Sequence, residues 1–337
     1  MKEIIKVASL KKTYKNGTEA VKGITFSINE GEIFGFLGPN GAGKTTTIKT
    51  IIGLLKPTKG EVFVNGINVK ENPFEVRKLI GYASQETGVD DNLTGEENLR
   101  IQASLYHIPE KEYLERGMEL LKMFGLYERR KDLVSFYSGG MRKRLDIACA
   151  LIHRPKILFL DEPTLGLDVQ TRVTIWDYIV KLRDKHKMTI FLTTHYMEEA
   201  DELCDRVAII DHGEIKALDK PGKLKELIGG DIITFTLNYT NAIEEFLTAV
   251  KELPTVKDVR KLPRGIFQII VSQNGDRLIP KIFEISKEKG VEITSIRLKR
   301  PTLDDVYLHF TGRRIRDEEA TKEDHVRRRI MMRRIRR

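Results

Sequence analysis

Apolar and polar positions alternate in short blocks through the first 70 residues. The runs IIKVASL, AVKGITFSI, EIFGFLG and EVFVNGINV are rich in β-branched residues and bounded by turn formers, so they read as strands. In the last of them Asn65-Gly66 parts two β-branched runs, the signal of a two-residue hairpin turn with positive backbone dihedrals. From Thr94 to Cys149 the period lengthens: ENLRIQASLYHI and EYLERGMELLKMFGL have helical spacing. Strands then return. KILFLDEP, MTIFLTTH and RVAIIDHGEI are continuous apolar runs separated by helical stretches such as VTIWDYIVKLRDK, the rhythm of a mostly parallel sheet. The pattern predicts an α/β core with an inserted helical block at about residues 90–153.

A second unit is expected to begin at Gly229-Gly230, a double glycine that follows the charged helix KLKELI and reads as a linker. Beyond it the pieces IITFTLNY, NAIEEFLTAVKEL, VKDVRKL, IFQIIVS, RLIPKIFEISKEKG and VEITSIRLK follow a βαββαβ order, which suggests a small α+β, ferredoxin-like sandwich. The predicted division is therefore residues 1–228, 229–312 and a basic tail, 313–337.

Composition narrows the class. With 40% hydrophobic and 32% charged residues, the chain is neither an integral membrane protein nor wholly disordered. No apolar run approaches the roughly 18–20 residues of a membrane span, and the N-terminus lacks a signal-peptide core. The only cysteines, Cys149 and Cys204, have no ligand spacing, so a reducing cytoplasm fits. The net charge of +9 is uneven: residues 312–337 hold ten Arg and one Lys against five acidic residues, leaving +3 for the rest. A nucleic-acid groove would need that charge on the folded units, and it lies in the tail.

Three motifs carry chemistry. Gly38-Pro39-Asn40-Gly41-Ala42-Gly43-Lys44-Thr45 matches G-x-x-x-x-G-K-[ST] between a strand and a helix, the context that marks a phosphate loop. Glycines let successive amides turn inward around phosphates at a helix N-terminus, with Lys44 reaching the β- and γ-phosphates and the hydroxyl of Thr45 ligating Mg²⁺. Next, ILFL ends in Asp161-Glu162, as expected of a buried strand delivering carboxylates at its C-terminal end. Asp161 is expected to hold Mg²⁺ through water, and Glu162 is placed to polarise a water in line with the γ-phosphate. Acidic residues at a strand end are by themselves most often turns or caps; the phosphate loop changes that reading.

The third motif, Tyr137-Ser138-Gly139-Gly140-Met141, resembles the LSGGQ signature of ATP-binding-cassette (ABC) ATPases, with Tyr137 in place of Leu and Met141 in place of Gln. The resemblance covers roughly residues 1–225. It implies a P-loop NTPase core and a head-to-tail dimer, a homodimer or a pair with a related subunit, in which Ser138, Gly139 and Gly140 serve the ATP of the partner. It further implies that Tyr14 stacks on adenine, that Thr46 joins the nucleotide contacts, and that Gln85 senses Mg²⁺ and water and meets a transporter subunit. Asp168 is then a dimer-contact residue, and His195 a switch contacting the γ-phosphate. An isolated Tyr is usually packing, and an isolated His at a strand end usually only hydrogen-bonded.

Pro301 to Gly312, PTLDDVYLHFTG, looks like the closing motif of the drug-resistance (daunorubicin-type) members, which partner ABC-2-type permeases, generally exporters. As physics it is an amphipathic helix with Leu303, Val306, Tyr307 and Phe310 as its stripe. Expected partners are thus a second ATPase subunit, a membrane permease at the inner face of the cell membrane, and anionic lipid at the tail. The alternative is a soluble ABC ATPase acting on nucleic acid through that tail. The long coiled coil or second cassette of such relatives is missing from this sequence.

Overall fold

The computed structural model describes residues 2–238, 242–262, 265–272 and 275–312; the basic tail, 313–337, lies outside the described residues. Packing divides the chain into two units, one ending at Asp219 and the other beginning at Lys220.

The first unit opens with β1 (Glu3–Thr13), β2 (Glu19–Asn29), β3 (Ile33–Leu37) and α1 (Lys44–Ile51), followed by β4 (Lys59–Val64) and β5 (Ile67–Asn68). Four of these strands form an antiparallel sheet in the order β2-β1-β4-β5. Asn65 and Gly66 make the turn between β4 and β5 with φ of 49° and 80°, and Val64 pairs with Ile67. This is the hairpin that Asn-Gly predicts. Next come α2 (Pro73–Lys78) and β6 (Ile80–Ala83), then the helices α3 (Gly95–Leu105), α4 (Glu110–Met123) and α5 (Gly139–Leu151).

Strands resume with β7 (Ile157–Asp161), α6 (Val169–His186), β8 (Thr189–Thr194), α7 (Met197–Leu203), β9 (Arg206–Asp211) and β10 (Glu214–Asp219). They join a six-stranded sheet in the order β10-β9-β3-β8-β7-β6, parallel throughout except where β10 turns back along β9. Every residue of β3, β7 and β8 is buried, which explains their unbroken apolar runs: a parallel sheet is covered on both faces. Phe26 of β2 stacks on Phe34 of β3 at 5.4 Å between centroids, with Phe36, Phe159 and Phe191 completing the cluster. Full burial of such a ring stabilises by roughly 1.5–3 kcal/mol, so the cluster fixes one sheet on the other and holds the C-terminal ends of β3, β7 and β8 side by side.

The second unit begins with α8 (Pro221–Leu227), then β11 (Ile232–Leu237), α9 (Ile243–Lys251), β12 (Val256–Leu262), β13 (Ile266–Val271), α10 (Gly275–Glu288), β14 (Ile293–Lys299) and α11 (Leu303–Thr311). Its sheet is antiparallel in the order β12-β13-β11-β14. Ile233, Phe235, Phe246, Phe267, Ile269 and Ile282 are its core. Thr302 and Asp305 form a capping box at the start of α11, whose Leu303, Val306 and Tyr307 are buried.

The linker expected at Gly229-Gly230 is not where the packing divides. The helix α8 belongs to the second unit, where it packs against α11, and Gly230 is buried: a Cβ there would lie 1.3 Å from the carbonyl oxygen of Val271. That glycine serves close backbone approach, and the boundary moves nine residues earlier, from Ile228 to Asp219.

Candidate active site

The turn from β3 into α1 is made possible by Gly43, whose φ is 105° and whose missing Cβ would otherwise meet the carbonyl oxygen of Ala20 at 2.4 Å. Gly38, Pro39, Ala42 and Gly43 are buried, while Asn40 and Gly41 form an exposed tip. Lys44, the first residue of α1, is only 5% exposed. Its three ammonium protons are matched by the carbonyls of Gly38 at 2.7 Å and Pro39 at 3.1 Å and by Oε1 of Glu162 at 2.9 Å.

Glu162 leaves the end of β7 in the left-handed region, with φ of 50°. That conformation is unusual for a side-chain-bearing residue. Its amide is held by both the carbonyl and the hydroxyl of Thr193 on β8, each at 3.1 Å. The other carboxylate oxygen meets Nδ1 of His195 at 3.1 Å. Burial pushes the pKa of this carboxyl up, but the hydrogen bond with His195 and the charge and hydrogen bond of Lys44 outweigh it, lowering the pKa from 4.5 to about 2. The group is a carboxylate at neutral pH, with a lone pair for a proton.

One residue earlier, Asp161 accepts hydrogen bonds from Thr193 Oγ1 at 2.6 Å and Thr45 Oγ1 at 3.2 Å, and Tyr82 approaches its other oxygen at 3.5 Å. Thr45 and Asp161 thus bring a hydroxyl and a carboxylate oxygen together beside the phosphate loop. Hard oxygen donors in that number suit Mg²⁺, which takes one or two carboxylates and completes its shell with water and phosphate.

The remaining expected residues form separate groups. Tyr14 is 38% exposed; its hydroxyl lies 3.1 Å from Thr46 Oγ1 at the start of α1, and Lys12 Nζ lies over its ring, 5.6 Å from the centroid. Ser138 caps α5 by accepting from the amide of Met141 at 3.2 Å. Asp168 caps α6 through the amide and hydroxyl of Thr171, at 2.9 and 2.6 Å, and these bonds lower its pKa. Thr171 also explains Gly140, since a Cβ there would sit 2.2 Å from Thr171 Cγ2; the starts of α5 and α6 are packed together. Tyr137 is buried, its hydroxyl donating to the carbonyl of Arg129 at 2.8 Å, so the departure from Leu carries its own partner. Gln85 is exposed, just beyond the edge strand β6.

Sequence reasoning missed Thr193, which joins both carboxylate positions, and the pair Lys143 and Asp146 on α5. The signal for Thr193 was a polar residue inside an apolar run, since a buried hydroxyl needs a partner. Asp146, set in the otherwise apolar run LDIACAL, gave the same signal, whereas Lys143 is hidden between Arg142 and Arg144.

A phosphate-cradling loop opening α1, with two carboxylates at the end of a parallel strand beside it, defines a P-loop nucleoside triphosphatase. Comparison with known proteins is more specific. Residues 21–165 match the family model described as ABC transporter. The chain is 37% identical over 315 residues to the linearmycin resistance ATP-binding protein LnrL of Bacillus subtilis (strain 168), covering 93% of this chain and 100% of that one. It is 38% identical over 328 residues to the daunorubicin/doxorubicin resistance ATP-binding protein DrrA of Streptomyces peucetius, covering 96% and 97%. A dimeric ATP-binding cassette solved in a post-hydrolysis state with ADP and Pi superposes with a TM-score of 0.59 at 30% identity, covering 64% of this chain and 98% of that one. The chain belongs to the ABC transporter family of ATP-binding proteins, and it is an ATPase.

Proposed function

We propose that this chain is the nucleotide-binding subunit of a drug-exporter-type system. In this reading it powers a separate ABC-2-type permease at the inner face of the cell membrane. The names of the two resistance relatives support a role in drug resistance, and a 35% identical relative of Ralstonia nicotianae named a Nod factor export ATP-binding protein supports export. Among the described residues, no helix is long and apolar enough to cross a membrane. Two copies close head to tail on ATP, a reading supported by the dimeric relative with ADP and Pi. The strand order of the second unit favours a ferredoxin-like accessory domain, and the charge of residues 313–337 favours contact with anionic lipid, roughly 1 kcal/mol per basic residue near such a surface.

The reading rests above all on the position of Glu162 between Lys44 and His195. Glu162 accepts the proton of the attacking water, His195 orients that carboxylate and contacts the γ-phosphate, and Lys44 holds the β- and γ-phosphates. The amides of the loop from Asn40 to Thr46 bind the remaining phosphate oxygens, and Tyr14 takes the adenine face. Thr45, Gln85 and, through water, Asp161 would hold Mg²⁺. The ion would neutralise charge on the phosphates. Ser138, Gly139, Gly140 and Asp168 act on the nucleotide held by the other subunit.

Phosphate release and nucleotide affinity test these roles together. Glu162→Gln keeps the shape and loses the base, so affinity should stay within about two-fold while turnover falls by about 10²-fold or more. Lys44→Ala should weaken ATP binding itself. Wild-type turnover in Glu162→Gln would overturn the assignment.

A further inference from the structure

Lys143 and Asp146 lie one turn apart on α5, only 4% and 6% exposed. Their charges meet at 3.5 Å, yet the shorter bonds of both leave the helix. Lys143 Nζ donates to the carbonyl of Ser84 at 2.6 Å, and Asp146 Oδ1 accepts the amide of Gly88 at 3.0 Å. Ser84 and Gly88 bracket Gln85, on a segment that leaves the edge of the six-stranded sheet. Burial lowers the pKa of Lys143 and raises that of Asp146, each opposed by the other's charge. A buried ion pair of this kind is poor evidence for stability, since apolar replacement is often neutral or better. What apolar side chains cannot supply is the two backbone bonds to residues 84 and 88.

We propose that Lys143 and Asp146 are positioning residues: they fasten the segment carrying Gln85 to the helix that begins at Ser138, so that the pose of Gln85 follows that helix. The inference rests on the role given above to Gln85 and names what sets it. A displacement of α5 when Ser138 engages the other subunit's nucleotide would be carried to Gln85 through these two bonds.

The test uses the full chain. Lys143→Met/Asp146→Leu removes both charges together and so leaves no unpaired ion. Its thermal unfolding should match the wild type within a few degrees. Hydrogen–deuterium exchange over residues 84–89 should accelerate by about ten-fold or more while residues 139–151 stay protected. Turnover should fall about ten-fold, with KM for Mg·ATP within about two-fold, because a misplaced group costs transition-state more than ground-state interaction. Added to Gln85→Ala, the pair should cost little more, and Lys143→Arg should restore most of the turnover. If the double variant does not fold, Asp146→Glu, which keeps both charges and lengthens the arm to Gly88, carries the same exchange and turnover measurements. Unchanged exchange over 84–89 in a folded variant, or a full ten-fold loss on top of Gln85→Ala, overturns the tether and spares the role of Gln85. Wild-type turnover in Gln85→Ala alone overturns that role, and the tether's function with it.

Discussion

Glu162 is a buried carboxylate whose charge the fold itself requires, because Lys44 and His195 are both bonded to it. Its folded pKa of about 2 lies below the ordinary 4.5. The stability it contributes is therefore fully present above pH 4.5 and is lost as the pH falls through 2. Denaturant midpoints measured from pH 7 down to pH 3 should fall more steeply for the wild type than for Glu162→Gln once below about pH 4.5; parallel curves would show that the pairing adds nothing. At this scale the phosphate loop and Asp161-Glu162 were legible because their spacing is local and their flanks are apolar. Thr193 was not, since its two partners lie 32 and 31 residues away on another strand, and no local pattern announces a bond across a sheet.

Among the elements, α5 joins separate parts of the first unit. Its first turn packs Gly140 on Thr171 of α6, its middle holds residues 84 and 88, and the residue before its cap, Tyr137, reaches back to Arg129. Removing that last hydroxyl in Tyr137→Phe should destabilise the protein by about 0.5–1.5 kcal/mol, towards the lower end because the amide of Asp132 still satisfies the Arg129 carbonyl. Chemical denaturation would measure the loss, and nucleotide affinity should not change; wild-type stability would mean that the hydroxyl is replaced by water at no cost. The helical and strand rhythms of these elements could be read directly from apolar period. The double glycine misled because a glycine needed for close packing and one needed for a flexible joint are written alike. The neighbour that distinguishes them, Val271, is 41 positions further along the chain.

For the whole molecule, the boundary at Asp219 makes a different cut preferable to the one the sequence suggests. A chain ending at Asp219 should unfold cooperatively and bind ATP with wild-type affinity. A chain ending at Ile228 keeps α8 without α11 and exposes Leu224, which is 1% exposed in the intact protein, so it should aggregate more readily on heating. Equal behaviour of the two would place the joint back at Gly229. Both forms keep the phosphate loop, Glu162 and the signature turn, the parts that the proposed dimer needs.

The central claim is that Ser138 of one copy completes the ATP site of another, and sedimentation of the Glu162→Gln protein tests it most directly. In that background ATP is bound and not consumed, so the chain should shift from monomer to dimer on adding ATP with Mg²⁺. Introducing Ser138→Arg, which places a bulky cation at the exposed start of α5, should leave the monomer's nucleotide binding intact and abolish the dimer. A dimer that forms with ATP despite Ser138→Arg would contradict the account, because the signature turn would then stand outside the surface on which the two copies meet.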